Sequence, residues 1–94
     1  DAVAQYVDGT YSGESKGNNG TVKVEVIVKD GFIDAINVIE QHETSTIFAS
    51  IQNELIPSII YNQSTENVDA VSGASNSSAA VLEAVTNALS AATK

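Results

Sequence analysis

A serine-rich segment is the part of this sequence best suited to chemistry. DAVSGASNSS, at positions 69–78, carries four hydroxyl groups, on Ser72, Ser75, Ser77 and Ser78. It precedes a stretch with helical periodicity, so the serines fall in the first turn of a helix. There the backbone N–H groups have no acceptor within the helix, and the positive end of the helix dipole is located. Gly73 and Ala74 keep bulky side chains away. The segment predicts a cradle for an anion such as phosphate, with an ordinary serine-rich helix cap as the alternative.

Alternating residues upstream predict the sheet that positions this segment. Valines at every second position from Val22 to Val28 give the clearest strand, with charged residues on its other face. Asp30-Gly31 is a strong two-residue hairpin signal, and the Asn-Gly pair within 17–20 predicts another turn. Alternation is weaker in the third strand, which indicates a bulge or burial on both faces. The predicted strands are 10–15, 21–28 and 32–40.

After His42 the spacing of the apolar residues changes from that of a strand to that of a helix. Ile47, Ile51 and Leu55 are spaced four residues apart, and Thr44 or Ser45 is the expected N-cap. Pro57 should kink this helix or start a second one. Residues 61–67 are predicted to be a loop, and a final helix is expected over 76–93.

Strands followed by helices indicate an α+β fold. We expect a two-layer sandwich in which an antiparallel meander of three strands, or slightly more, packs on two to three helices. One domain over 1–94 fits the length, with 1–8 as a leader segment.

The composition excludes several classes of function. The 94 residues include 12 acidic side chains, four lysines and no arginine, for a net charge of −8. Nucleic acid and anionic membrane surfaces are therefore not expected partners. The chain has no cysteine and one histidine, which excludes thiol catalysis and multi-histidine metal sites. No membrane-spanning run, signal peptide or initiator Met is present, so we expect a processed product or a domain of a larger protein.

The serine-rich segment resembles the signature of the FMN-binding domain family. That family includes the flavin-carrying subunits of sodium-pumping NADH:quinone oxidoreductases and of Rnf complexes. Its pattern, Asp-x-x-Ser/Thr-Gly-Ala-Thr/Ser, is matched by Asp69, Ser72, Gly73, Ala74 and Ser75. Weaker matches in the same order include the Tyr11 region, the hairpin at 30–33 and His42-Glu43-Thr44.

The resemblance implies FMN as the cofactor and Ser75 as its acceptor, through a phosphoester bond that a dedicated flavin transferase forms. Threonine is usual at that position, and a hydrogen bond from Ser75 to the phosphate is the non-covalent alternative. The domain would relay electrons to or from a partner redox domain, on the outer face of a bacterial membrane. The expected cofactor contacts are Tyr11, Glu43, Thr44, Asp69, Ser72, Gly73, Ala74, Ser75, Asn76, Ser77 and Ser78.

Other interpretations remain open at this point. The domain could be a flavin-free extracellular spacer or protein-interaction domain of the same fold. A secreted serine-nucleophile enzyme is disfavoured, because His42 is the only candidate base and no nucleophile elbow is present. His42 beside Glu43 is a candidate proton relay or a solvated loop residue. Tyr11 and Tyr61 are candidates for stacking on the isoalloxazine ring or for filling the core.

Overall fold

The computed structural model describes residues 6–17, 20–43, 45–65, 68–71 and 73–92. Three strands come first and helices follow, which confirms the predicted α+β class. The strands form one antiparallel sheet in the order β1-β2-β3. The elements are β1 (Gly9–Lys16), β2 (Thr21–Lys29), β3 (Phe32–Glu40), α1 (Ser45–Ser50), a π-helical segment (Ile51–Leu55), α2 (Ile56–Asn62) and α3 (Ser75–Ser90).

The central strand, β2, supplies the sheet side of the core. Val22, Val24 and Val26 are fully buried, and Val28 is nearly so. Lys23 and the other alternate residues of β2 point to the opposite, more exposed face. Full burial of a valine contributes about 1.5–3 kcal/mol relative to exposure, so this alternation fixes which face meets the helices.

The hairpin between β2 and β3 has the geometry that its sequence predicts. Asp30 and Gly31 both have positive φ, at 56° and 84°, as a type I′ turn requires. The Asp8 carboxylate accepts the N–H groups of both turn residues, at 3.1 and 2.7 Å. Tyr6 is only 5% exposed, and Val7 and Asp8 are hydrogen-bonded to the domain, so residues 6–8 of the predicted leader are attached to the fold. Residues 1–5 lie outside the described residues.

Two register shifts explain the weak alternation of β3. Pairing passes from Ile27–Ala35 to Val28–Ile33, which leaves Asp34 as an extra residue. A second shift follows between Lys23 and Val24 and leaves Ile39 extra. Each extra residue reverses the in-out order, so Ile33 and Ile36 are both buried although they are three residues apart.

Pro57 is accommodated inside one continuous helical segment. Proline has no N–H and collides with the preceding turn of an α-helix. A wider, π-helical segment lies immediately before Pro57. At its end, the N–H of Ile56 donates a hydrogen bond to the carbonyl of Ile51. The prediction that Pro57 starts a second helix agrees with α2, which has proline in its first turn.

The predicted loop at 61–67 is wrong for its first two residues, because α2 continues to Asn62. Gln63 then ends the helix in the left-handed conformation, with its N–H directed at the carbonyls of Ile59 and Ile60. Its carboxamide bonds both the N–H and the carbonyl of Ile33, at 2.7 and 3.0 Å. The Tyr6 hydroxyl donates to the Gln63 carbonyl at 2.8 Å, and together these bonds hold α2 against β3.

The last helix, α3, lies across β1 and β2 and completes the second layer. Its buried side is mainly alanine and valine, with Ala84, Val85 and Ala88 fully buried. Ser15 on β1 donates to the carbonyl of Ala80, and Asn87 donates to the carbonyl of Glu14. Among the described residues, no helix is long and apolar enough to cross a membrane.

Close packing of β1 on α3 makes Gly13 sensitive to substitution. A Cβ at this position would overlap the carbonyl oxygen of Ala84 and the amide nitrogen of Ala88. We expect Gly13→Ala to lower the free energy of unfolding by about 1–3 kcal/mol, measured by urea denaturation. Ser12→Ala, at an exposed neighbouring position, should change it by less than about 0.5 kcal/mol. Equal midpoints for the two variants would contradict this packing.

Candidate functional site

A tight turn carries the chain into α3. The Ala74 N–H donates to the carbonyl of Val71 at 2.9 Å and closes the turn. Gly73 has φ +81°, the value that the third position of a type II turn requires and that side chains disfavour. A Cβ at Gly73 would meet nothing within 4 Å, so open space lies beside the turn. Ser72 lies outside the described residues.

The first turn of α3 has no side-chain cap. Ala74 occupies the N-cap position, where it can offer no side-chain acceptor. The helix therefore begins at Ser75, one residue earlier than predicted. Its first N–H groups have no carbonyl acceptor one turn earlier within the helix, and the positive end of the helix dipole lies here. This end of α3 therefore suits an anionic group.

The three described serines of the segment differ in their surroundings. Ser77 is 2% exposed and donates to the Glu43 carboxylate at 2.5 Å. Ser78 is fully buried and accepts the Val71 N–H at 3.0 Å. Ser75 and its neighbour Asn76 are exposed. Of these hydroxyls, only that of Ser75 is presented to solvent, while Ser77 and Ser78 hold the segment in place.

Glu43 joins three parts of the fold at the start of α3. Its side chain is buried at 8% exposure, and its own N–H donates to the side chain of Gln41 at 2.7 Å. The carboxylate lies against the backbone of Gly17, where an added Cβ would come within 3.1 Å of both oxygens. Glu43 thus connects the β1–β2 turn, the segment after β3 and Ser77 of α3. Thr44 lies outside the described residues.

An open cleft of about 500 Å³ lies between α2 and the segment leading to α3. Residues one turn apart on α2 form one wall and residues just before the turn form the other. They are Pro57, Ser58, Tyr61 and Asn62 on α2, and Val68 and Asp69 opposite. The sequence does not predict this wall, because residues 61–67 are predicted to be a loop. The 57, 58, 61, 62 spacing was the available signal, since it is that of one helical face.

Two further candidates, Tyr11 and His42, have hydrogen-bond partners outside the serine segment. Tyr11 is on β1, where its hydroxyl donates to the carbonyl of Val7 at 2.7 Å, and Val7 in turn bonds Ala92 beyond the far end of α3. The structure therefore does not bring Tyr11 together with Ser75. His42 is half exposed and pairs with Glu40 at 3.1 Å, whereas its neighbour Glu43 is buried against α3.

The site fits the phosphate of a nucleotide better than a metal ion. An uncapped helix start, an exposed serine hydroxyl and the open space beside Gly73 are features of anion sites. Within the described ranges, no group of three or more histidine, cysteine, aspartate or glutamate side chains could hold a metal.

The different surroundings of Ser77 and Ser75 predict different effects on stability. Ser77→Ala removes a hydrogen bond to a buried carboxylate, so the free energy of unfolding should fall by about 1–3 kcal/mol in urea denaturation. Ser75→Ala is the matched control on the same turn, and its effect should stay below about 0.5 kcal/mol. Similar losses in both variants would show that the Ser77 bond does not stabilise the domain.

Comparison with known proteins agrees with this assignment. The model of the FMN-binding domain family matches residues 17–90, which include the whole of the site. An uncharacterized protein of Treponema pallidum (strain Nichols) is 32% identical over 82 residues, covering 87% of this chain and 22% of that protein. An NADH:acrylate oxidoreductase of Vibrio harveyi is 35% identical over 85 residues, covering 90% of this chain and 8% of that enzyme. The chain thus spans a small part of either relative. It belongs to the FMN-binding domain family, and its cofactor is FMN.

Proposed function

We propose that the domain carries FMN on Ser75 through a phosphoester bond and serves as an electron-transfer module of a larger protein. The exposure of Ser75 carries this proposal, because the other two described serines of the 69–78 segment, Ser77 and Ser78, are buried and hydrogen-bonded within the fold. The uncapped amides at the start of α3 would hold the phosphate oxygens.

The attachment chemistry is a phosphoryl transfer to a hydroxyl group. A bond forms between the Ser75 oxygen and phosphorus, the hydroxyl proton is lost, and the bond to the leaving group of an activated flavin nucleotide breaks. The protein gains one FMN less one water. We assign this step to a separate flavin transferase, because His42, the single histidine and the single candidate base of the chain, pairs with Glu40.

Bound FMN supplies one- and two-electron transfer, and the domain supplies attachment and orientation. The match to part of an NADH:acrylate oxidoreductase supports a role beside a partner redox domain, as does coverage of only 8% of that enzyme. The domain is therefore proposed as the cofactor carrier of a larger oxidoreductase or electron-transfer system. We further propose an extracytoplasmic position at the outer face of a bacterial membrane, which follows the family resemblance.

Attachment at Ser75 predicts a specific change in mass. Co-expression with a flavin transferase should add one FMN less one water to the chain, as measured by intact-mass spectrometry. Ser75→Ala should remove the adduct completely, because no hydroxyl remains at the acceptor position. Ser75→Thr is the matched control and should keep the adduct, since it retains the hydroxyl and the exposed position at the helix start.

Three outcomes separate the alternatives. An adduct that persists in Ser75→Ala would place the bond on another residue. No adduct together with an FMN-dependent change in the flavin absorption spectrum would indicate reversible binding. Neither adduct nor spectral change would contradict the proposal and favour a flavin-free spacer.

A further inference from the structure

The three tyrosines have very different surroundings. Tyr6 is 5% exposed and its hydroxyl donates to Gln63, while Tyr11 is partly buried against the core and its hydroxyl donates to Val7. Tyr61 is 93% exposed on α2 and lies outside the hydrophobic core. An aromatic ring exposed to this extent gains nothing from burial in the fold as it stands, so it is available to cover a ligand.

Tyr61 lines a cleft of suitable size for a planar ring. The volume of about 500 Å³ falls within the range of small-molecule sites, roughly 300–1,000 Å³. Pro57 and Val68 give the cleft apolar walls, and Ser58, Asn62 and Asp69 give it a polar rim. This mixture suits a heterocycle with an apolar face and polar edges.

The cleft lies close to the serine segment along the chain. Asp69, the first residue of that segment, is one of its walls. It is two residues from Val71, so the two Cα atoms are within about 7 Å. Val71 is itself bonded to Ala74 and Ser78, and the turn keeps Val71 within about 7 Å of Ala74. The cleft wall and Ser75 therefore lie on adjoining parts of one short segment.

We propose that Tyr61 is the stacking platform for the isoalloxazine ring, which lies in the cleft between α2 and residues 68–69. The inference rests on the proposed function, because Ser75 sets where the phosphate end begins. It replaces Tyr11 as the aromatic partner, since Tyr11 packs toward the far end of α3. Tyr61 is a positioning residue that covers one face of the ring and excludes water from it.

Flavin fluorescence tests this assignment without measuring activity. A tyrosine phenol in contact with a flavin quenches its emission, so Tyr61→Phe and Tyr61→Leu should both raise the emission per bound flavin. Phenylalanine keeps the stacking face and leucine does not. The leucine variant alone should therefore gain about 2–10-fold in exposure to the neutral quencher acrylamide, the factor that an aromatic stacking energy implies.

Controls keep the two proposals separable. Tyr11→Phe should leave the emission unchanged, and the exposed Tyr61 variants should unfold at the wild-type urea concentration. A flavin adduct at Ser75 with wild-type emission in both Tyr61 variants would overturn the Tyr61 assignment alone. A wild-type chain that neither forms an adduct nor binds added FMN would overturn the proposed function, and the Tyr61 assignment with it.

Discussion

The hydrogen bond from Ser77 to the buried Glu43 carboxylate fixes where α3 starts relative to the sheet. Because Glu43 also packs on Gly17, the bond ties the β1–β2 turn and the segment after β3 to the same point. Burying a carboxylate is costly unless it is hydrogen-bonded, and the Ser77 hydroxyl in the first turn of α3 donates such a bond. The position of Ser75, two residues earlier on the same turn, depends on this connection.

The same carboxylate bears on how FMN would be held. It places negative charge beside the helix start in a domain whose net charge is already −8. A free phosphomonoester carries about −1.5 to −2 charges at neutral pH. A phosphodiester carries one, so attachment to Ser75 reduces the repulsion as well as preventing dissociation. The acidity that argues against nucleic acid as a partner thus also favours a covalent anchor over reversible capture of the nucleotide.

Much of the fold could be predicted because local patterns determine it. The alternating valines of β2 and the Asp30-Gly31 turn each specify one geometry, and both were correct. The path after Pro57 was less predictable, because Gln63 ends α2 through bonds to Ile33, thirty residues away in sequence.

The candidate site, too, could be predicted only in part from the sequence. The segment at 69–78 was recognisable from its pattern, although sequence cannot show which serines are buried. Which serines are buried depends on tertiary contacts, namely those of Ser77 with Glu43 and of Ser78 with Val71. From the sequence, Tyr11 is as good an aromatic candidate as Tyr61. The direction of α3 across β1, which the sequence does not reveal, places Tyr11 toward the C-terminal end of α3, away from Ser75.

The central claim is the bond to Ser75, and phosphorus-31 NMR of the flavin-loaded domain tests it directly. We predict a phosphodiester resonance, coupled to the Ser75 β-protons, that does not shift across neutral pH. A resonance that titrates with a pKa of about 6, as a phosphomonoester does, would contradict it.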